Sequence, residues 1–476
     1  MGDNKSQDKH IHYYSKYKSN DLFWGIGIEN ELYLQFNKHV NVNKKCMLNN
    51  HKPERYSVDY YKNFNKDDFK DALNKLIKDN NTKLPLLLNC HSFQKTDANG
   101  EPITLYDREN TPNTNFSGKT LHELLCEKDP YFSKNFKKSY IYDGDTIEIV
   151  TQNFYKTTIE DVIQELVLLK KEYINRVKKV FKENNIFSQF GEIDFCKQNH
   201  GFAVFLTNKN NVAVCNNMTY HFNITLPTQL TADKKIANLS EFVIKHQNAI
   251  RLFQWLSPIF IALYNTPDIL SKVSDHFSKG SQRCALSRYI GVGTYNSNSM
   301  PNGKLLNDDF YKIPYYNLPY WWYHNYYYNS GYVQCEKIGY DINFNKFMNH
   351  GIEIRIFEYF PEDKLYEFLT FIVYLLDHSL HTPNICNPVE NEEWNITTAN
   401  IIKNGILHEI SFEMLKNYEI IFGINLQRQK YRNIKNLFNK LKKYLEDIYH
   451  NSGDCSMKMI KTRNTETVSN NMCTIL

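Results

Sequence analysis

Two acidic side chains alternate inside an apolar run, a pattern that predicts a strand with one charged face. Glu29 and Glu31 lie within residues 22–36, which are otherwise rich in apolar side chains. Because successive side chains of a β-strand point to opposite faces of the sheet, both carboxylates lie on the same face. Glu148 lies near the end of a second predicted strand, residues 140–150. Carboxylates placed in this way could bind a cation or take part in phosphate chemistry.

Two further predicted strands repeat the pattern. One carries Glu353 and Arg355 at alternate positions, and the other, residues 220–226, carries His221 and Asn223 on one face. A carboxylate on a buried sheet face costs free energy unless it is paired with a positive charge or binds a metal. Several carboxylates that converge on one face repel each other, and a divalent cation with oxygen ligands, such as Mg²⁺ with substrate phosphates, relieves that repulsion.

Each of these side chains also has a simpler interpretation. A single glutamate of this kind fits a solvated position on a half-exposed strand, and His221 fits a core histidine whose ring nitrogens are hydrogen-bonded. Four strands that all carry polar residues at a period of two favour a shared site over four independent coincidences. The sequence therefore predicts one metal and phosphate site on one face of a sheet.

Five short motifs resemble, in order, those of the carboxylate–amine ligases with a glutamine synthetase-like fold, the group that includes glutamate–cysteine ligases and the amidoligase superfamily. They span residues 25–360, about two thirds of the chain. The motifs are Gly25-Ile26-Gly27-Ile28-Glu29-Asn30-Glu31, Tyr142-Asp143-Gly144-Asp145-Thr146-Ile147-Glu148-Ile149-Val150-Thr151, Tyr220-His221-Phe222-Asn223-Ile224-Thr225-Leu226-Pro227, Ser281-Gln282-Arg283-Cys284-Ala285-Leu286-Ser287-Arg288-Tyr289 and Glu353-Ile354-Arg355.

The resemblance implies an ATP-dependent ligase that uses Mg²⁺ or Mn²⁺. In such enzymes a substrate carboxylate attacks the γ-phosphate to give an acyl phosphate, and an amine then displaces phosphate to form an amide. The resemblance assigns the metal to Glu29, Glu31, Glu148, His221 and Glu353, the ATP phosphates or the substrate carboxylate to Arg283, Arg288 and Arg355, and a polar contact at the catalytic site to Asn223. For Arg283 and Arg288, a surface ion pair is an equal alternative.

The order of predicted elements favours an α+β fold with one antiparallel sheet and helices packed on one side, and the resemblance implies that this sheet is curved and mostly antiparallel. Strands and helices do not alternate regularly, which argues against a doubly wound sheet. We predict a mobile N-terminal segment over residues 1–20, one amidoligase-like catalytic domain over residues 21–450 and a flexible tail over residues 451–476. Helices are predicted at 67–78, from Thr158 onward, at 231–263, at 364–379 and at 426–449, and a hairpin is predicted around 208–211.

Composition excludes several classes of protein. The chain has 476 residues with 42% hydrophobic and 14% aromatic residues, so it can bury a large core and is not globally disordered. A net charge of +5, spread along the chain, gives no basic stripe, and we predict no nucleic-acid partner. The 10 cysteines form no CxxC pair, which favours reduced thiols in the cytoplasm. No run of about 20 apolar residues predicts a membrane span.

Both ends of the sequence carry possible lipidation signals. The last four residues, Cys473-Thr474-Ile475-Leu476, fit a prenylation box in which a terminal leucine favours geranylgeranyl. Gly2 and Ser6 meet the minimal pattern for myristoylation, although Asp3 disfavours it. The alternative is an unmodified polar tail. A prenyl group on Cys473 would place the protein peripherally at the cytoplasmic face of a membrane.

Two alternatives to the ligase follow from the same residues. One is a phosphotransferase on the same fold, which would act as guanidino kinases do and leave a stable phosphorylated product. The other is a non-catalytic, membrane-associated scaffold. For the ligase, the carboxylate and amine substrates could be small molecules or protein side chains. The aromatic segment 315–332 is interpreted as a packed loop over the site.

Overall fold

The structure is a computed structural model. It describes residues 17, 22–36, 86–88, 106–107, 111–112, 119–143, 146–186, 191–197, 202–205, 208–214, 218–268, 271, 278–288, 294–300, 341–344 and 351–451. The predicted helix at 67–78 and the aromatic segment 315–332 therefore lie outside the described residues.

The strands form three sheets. In chain order they are β1 (Leu22–Leu32), β2 (Leu34–Phe36), β3 (Leu86–Leu88), β4 (Tyr106–Asp107), β5 (Thr111–Pro112), β6 (Tyr140–Asp143), β7 (Thr146–Val150), β8 (Ile193–Phe195), β9 (Phe202–Phe205), β10 (Asn208–Val214), β11 (Thr219–Gln229), β12 (Ile342–Phe344) and β13 (Ile352–Glu358). The largest is a six-stranded sheet in the order β12-β13-β11-β1-β7-β6. All of its neighbouring strands are antiparallel.

A second sheet of five strands has the order β10-β9-β3-β2-β8, and β4 pairs with β5 alone. In this second sheet only β3 and β9 run parallel. The chain passes from the first sheet to the second at Tyr33, between β1 and β2. The predicted α+β class with a mostly antiparallel sheet is confirmed.

The described residues also form ten α-helices. They are α1 (Leu121–Lys128), α2 (Pro130–Asn135), α3 (Ile159–Glu183), α4 (Leu239–Tyr264), α5 (Gln282–Arg288), α6 (Leu365–Ser379), α7 (Glu392–Asn404), α8 (Phe412–Phe422), α9 (Arg428–Tyr431) and α10 (Ile434–Asn451). Among the described residues, no helix has both the length and the apolar character needed to cross a bilayer.

The helix predicted from Thr158 onward is α3, and Thr158 is its N-cap. The hydroxyl oxygen of Thr158 accepts a hydrogen bond from the backbone N–H of Asp161 at 3.0 Å, which satisfies one of the donors that a helix start leaves unpaired. The helix predicted at 231–263 begins later, at Leu239. Its N-cap is Asn238, whose side chain accepts from the backbone N–H of Glu241.

One predicted strand is two strands. Residues 140–150 were expected to be continuous, but β6 and β7 pair with each other antiparallel, with Asp143 opposite Thr146. The sequence between them is Gly144-Asp145, and glycine beside aspartate favours a tight two-residue connection. The predicted hairpin forms, since β9 and β10 are antiparallel, but residues 208–211, predicted as its turn, lie in β10, where Asn208 pairs with Phe205. The helix predicted at 426–449 is likewise divided, into α9 and α10.

The face of the sheet that carries Phe222 and Phe357 packs against α4 and α6. The ring centroids of Phe222 and Phe368 are 5.0 Å apart, and those of Phe357 and Phe368 are 4.6 Å apart. From α4, the ring of Phe260 lies 6.2 Å from that of Phe357. Such aromatic pairs add about 0.5–1.5 kcal/mol each beyond the burial of their area. This apolar packing holds β11 and β13 against the helices and leaves the opposite face for polar side chains.

A buried carboxyl group lies between α6 and its neighbours. Asp377 is fully buried, and neither of its side-chain oxygens has a hydrogen-bond partner among the described residues. Burial raises the pKa of Asp377 from its ordinary value of 3.8 to about 7. The folded protein therefore holds this group protonated at pH values where the unfolded chain has already ionised it.

Asp377→Asn should remove a pH-dependent loss of stability. Because the pKa of Asp377 is raised on folding, its contribution is fully present below pH 3.8 and is lost as the pH rises through about 7. Urea denaturation measures the difference in unfolding free energy between the variant and the native protein. This difference should shift in favour of the variant by about 3 kcal/mol between pH 5 and pH 8, because the native protein loses stability at about 1.4 kcal/mol per pH unit up to its raised pKa. An equal difference at the two pH values would contradict the assignment of a raised pKa.

Candidate functional site

Strand register aligns polar side chains across the centre of the six-stranded sheet. In the β1–β11 pair, Glu29 lies opposite His221 and Glu31 lies opposite Thr219. In the β1–β7 pair, Glu148 lies opposite Glu31. Directly paired residues of neighbouring strands project their side chains on the same face. These five side chains therefore share one face, as predicted for the four of them that were assigned to metal.

β13 brings its own residues to the same face. Glu353 lies opposite Asn223 of β11 on one side and opposite Asn343 of β12 on the other. The β11–β13 register then shifts, and Glu358 lies opposite Thr219. Glu353 and Glu358 are five residues apart, and in a regular strand they would face opposite ways. The register shift places both on the polar face.

The tightest group on this face is formed by Glu29, His221 and Glu353. One ligand atom from each lies within 4.8 Å of the others. The Nδ1 atom of His221 is 3.5 Å from a carboxylate oxygen of Glu29, 3.7 Å from one of Glu353 and 3.8 Å from one of Glu31. These separations exceed the usual hydrogen-bond range of about 2.7–3.2 Å. They approach the roughly 3–3.5 Å between two ligands that each bind one ion at about 2.1–2.2 Å.

Burial sets the protonation of the group. Glu29, His221 and Glu353 expose 2%, 1% and 1% of their surface. Burial, assisted by the positive charge of Arg355, lowers the pKa of His221, so its imidazole is neutral and one ring nitrogen can bind a metal. The donor set is therefore carboxylate oxygens with one imidazole nitrogen, which suits Mg²⁺, Mn²⁺ or Zn²⁺.

Thr219 contacts His221 of this group and the neighbouring Glu31. Its hydroxyl donates a 2.6 Å hydrogen bond to Glu31 and lies 3.3 Å from Nε2 of His221. Burial alone would raise the pKa of Glu31, but the positive charges of Arg283 and Arg355 and the hydrogen bond from Thr219 oppose this effect, and the pKa is lowered. Glu31 is therefore held as a carboxylate.

Two amides orient the remaining carboxylates. The Asn223 side chain donates a 3.1 Å hydrogen bond to Glu29, and the Asn343 side chain donates a 2.8 Å bond to Glu353. In each case the amide occupies one oxygen of the carboxylate that also approaches His221. Outer contacts of this kind fix ligand orientation in metal sites. Asn223 thus lies at the site, as predicted, but its observed role is to hold Glu29. Asn343 was not predicted, because its short strand has no alternating charged pattern.

Two arginines supply positive charge beside the group. The Nη1 atom of Arg355 forms a 2.6 Å ion pair with Glu353. Burial disfavours the charge on Arg355, but Glu353, Glu31 and Glu29 raise its pKa above the ordinary value. Arg283, on α5, donates from Nε to the backbone carbonyl of Arg355 at 3.0 Å. The structure therefore brings Arg355 and Arg283 to the site together.

Glu358 is a buried residue of the site that sequence reasoning missed. Its carboxylate accepts hydrogen bonds from the backbone N–H groups of Thr266 and Arg283 and from the hydroxyl of Ser281. Burial raises the pKa of Glu358 to about 7. The contacts fasten the first turn of α5 to the end of β13, and so they position Arg283. Glu358 was not predicted, because simple alternation along the strand places it on the face opposite Glu353.

The remaining predicted residues lie wholly or partly outside the described residues. Arg288 is the last residue of α5, and its side chain lies outside the described residues. Gly2 and Cys473, with their predicted lipid groups, also lie outside them. Lipidation at either residue, and the cytoplasmic or membrane-surface location that depends on it, stay predictions.

The fold and the site together define an α+β protein with a buried carboxylate–histidine group and two arginines on one face of an antiparallel sheet. No protein-family model matches the chain. The chain is 40% identical over 457 residues to Uncharacterized protein R704 of Acanthamoeba polyphaga mimivirus, and the match covers 94% of this chain and 78% of the viral protein. The chain therefore belongs to the same family as this mimivirus protein.

Thr219→Val should destabilise the protein more than an ordinary buried threonine substitution. Valine keeps the shape of the side chain but leaves the buried Glu31 carboxylate short of one donor, which costs about 1–3 kcal/mol of unfolding free energy. Thr228→Val is the matched control on β11, since its hydroxyl donates only to the Leu226 carbonyl. Urea denaturation should show the larger loss for Thr219→Val. Equal losses would mean that the Thr219–Glu31 bond carries no special weight.

Proposed function

We propose that the protein is an ATP- and Mg²⁺-dependent carboxylate–amine ligase that forms an amide bond through an acyl-phosphate intermediate. The observation that supports the proposal is the convergence of Glu29, His221 and Glu353 on one buried sheet face beside Arg355 and Arg283. Clustered carboxylates with adjacent guanidinium groups suit a site for a metal-bound polyphosphate and a carboxylate substrate.

The carboxylate–histidine group has the composition expected of ligands for the proposed cation. Glu29, His221 and Glu353 would hold one ion, and Glu31 and Glu148 extend the row of carboxylates along the same face. When bound, Mg²⁺ or Mn²⁺ neutralises charge on phosphate oxygens. The neutral imidazole of His221 and the ionised Glu31 are the protonation states that metal binding requires.

The arginines are suited to anionic groups of the substrates. A guanidinium matches two oxygens of a phosphate or a carboxylate, and it stays charged at any working pH. Arg355 uses Nη1 to bind Glu353, while its buried Nε atom has no hydrogen-bond partner among the described residues. That N–H is therefore an available donor at the edge of the carboxylate–histidine group. Arg283 is held beside Arg355, because its Nε atom donates a hydrogen bond to the Arg355 backbone carbonyl.

Burial of the site would serve the proposed reaction. An acyl phosphate is lost if water reaches it before the amine does, so a ligase must keep its site dry. Glu29, His221 and Glu353 are almost fully buried, and electrostatic attraction between charged groups is stronger in such an environment than in water. The side chains on this face could thus hold an anionic substrate in place while limiting hydrolysis.

Glu29→Gln should weaken metal binding at least tenfold, because it removes one charged ligand and keeps the shape of the side chain. Isothermal titration of the full chain with Mg²⁺ and an ATP analogue measures the affinity. Glu419→Gln is the matched control. Glu419 lies on α8, outside the six-stranded sheet, and forms an ion pair with Arg428. Unchanged affinity in Glu29→Gln would refute the metal assignment.

The reaction itself is tested by its products. The full chain, incubated with Mg²⁺, ATP and pooled carboxylates and amines, should release ADP and phosphate together with an amide detected by mass spectrometry. Glu353→Gln should abolish the amide, since it removes both a metal ligand and the partner of Arg355. A surviving phosphorylated substrate would instead identify a phosphotransferase. Absence of ATP turnover with all pools would contradict the enzymatic proposal.

A further inference from the structure

We propose that Lys170 is a positioning residue for the candidate metal site and acts on it from the opposite side of the sheet, through Asn30 and Thr219. The inference rests on the proposed function, because it assumes that the carboxylate–histidine group binds a divalent cation. It assigns a role to a buried lysine that lies on α3, on the helix side of β1, and that touches none of the proposed metal ligands in the contacts described.

Lys170 is held by several contacts at once. It is only 8% exposed, and its ammonium group forms an ion pair with Glu362 and donates a 3.0 Å hydrogen bond to the side-chain oxygen of Asn30. The ammonium also lies 5.5 Å from the ring centroid of Tyr359 and 5.9 Å from that of Phe195. These contacts fix the position of the nitrogen and direct it at the Asn30 amide.

Asn30 carries the connection across the sheet. It lies between Glu29 and Glu31 in β1, so its side chain is on the opposite face from theirs. It is fully buried, and its side-chain nitrogen donates a 2.9 Å hydrogen bond to the backbone carbonyl of Thr219 on β11. The Lys170–Asn30 pair therefore ties β1 to β11 at the position where Glu31 lies opposite Thr219.

Thr219 completes the connection on the polar face. Its backbone carbonyl accepts from Asn30, and its hydroxyl donates to Glu31 at 2.6 Å and lies 3.3 Å from Nε2 of His221. An unbroken series of buried contacts thus runs from the Lys170 ammonium to a carboxylate and an imidazole of the candidate site. A small displacement of Thr219 would move both groups, and metal affinity is sensitive to such displacements.

Stability alone does not account for a lysine at this position. Burying an ammonium group is costly, and an apolar side chain of similar length would often pack there at no loss of stability. Burial lowers the pKa of Lys170, and only the contact with Glu362 opposes that change. A residue that is costly to bury is retained more readily when its hydrogen bond sets a geometry that an apolar side chain cannot set.

The first test compares Mn²⁺ binding to the full-length native chain and to Lys170→Met, followed by electron paramagnetic resonance of the free ion. We expect the dissociation constant of Lys170→Met to rise about 5-fold, less than the roughly 10-fold to 100-fold seen when a direct partner of a ligand is lost, because Lys170 acts through Asn30 and Thr219. Lys178→Met is the matched control, because Lys178 lies on the same helix and pairs with Asp194 at 3.0 Å. Its dissociation constant should stay within about twofold of the native value.

A second pair of variants tests the route. Lys170→Gln keeps an N–H donor for Asn30 and should recover part of the lost affinity. Asn30→Leu should weaken Mn²⁺ binding as Lys170→Met does, and the double variant should be no weaker than Asn30→Leu alone, since both act through one contact. Thermal unfolding of each metal-free variant verifies that it is folded. If Lys170→Met does not fold, Asn30→Leu is used in its place.

The outcomes separate the two proposals. A native chain that does not bind Mn²⁺ would overturn the metal site of the proposed function. A native chain that binds, together with native affinity in Lys170→Met or in Asn30→Leu, would overturn the positioning role of Lys170 alone. A Lys170→Gln variant as weak as Lys170→Met, or additive losses in the double variant, would also overturn the hydrogen-bonded route through Asn30.

Discussion

Mutual repulsion among buried carboxylates is the constraint on which the rest of this structure depends. Glu29, Glu31 and Glu353 surround one imidazole nitrogen of His221 at 3.5–3.8 Å, in surroundings where charge is poorly solvated. Such a group is tolerated only if positive charge and hydrogen-bond donors are built around it. Arg355 and Arg283 provide the positive charge, and threonine and asparagine side chains provide the hydrogen-bond donors. Without such neighbours the arrangement would be costly to bury.

The two faces of the central sheet divide the work between them. The face that carries Phe222 and Phe357 packs against α4 and α6 and holds the strands in one register. Because register determines which side chains lie opposite each other, the apolar packing also determines the geometry of the polar face. Asn30 and Lys170 are exceptions, since they carry polar contacts through the apolar side. A change in the packing of the core would therefore also change the geometry of the candidate site.

Much of the polar face could be predicted from sequence, because alternation along β1 and β13 follows directly from the geometry of a strand. Glu29, Glu31 and Glu353 were found in this way. Glu358 was not found, since the register shift that brings it to the polar face depends on how β13 pairs with β11. The division of residues 140–150 into two strands was also missed, although the sequence contains a glycine between two aspartates at this point. Alternation describes one strand, whereas shifts and hairpins arise from contacts between strands.

The register shift between β11 and β13 has a consequence for how this family can vary. Before the shift, the odd-numbered residue Glu353 points to the polar face. After the shift, the even-numbered residue Glu358 points to that face. Substitutions between these two residues leave both carboxylates on the polar face. Loss or gain of one residue there would turn one carboxylate toward the aromatic core. Chain length in this short stretch is thus under a stricter constraint than residue identity, and relatives that keep the site should keep the count.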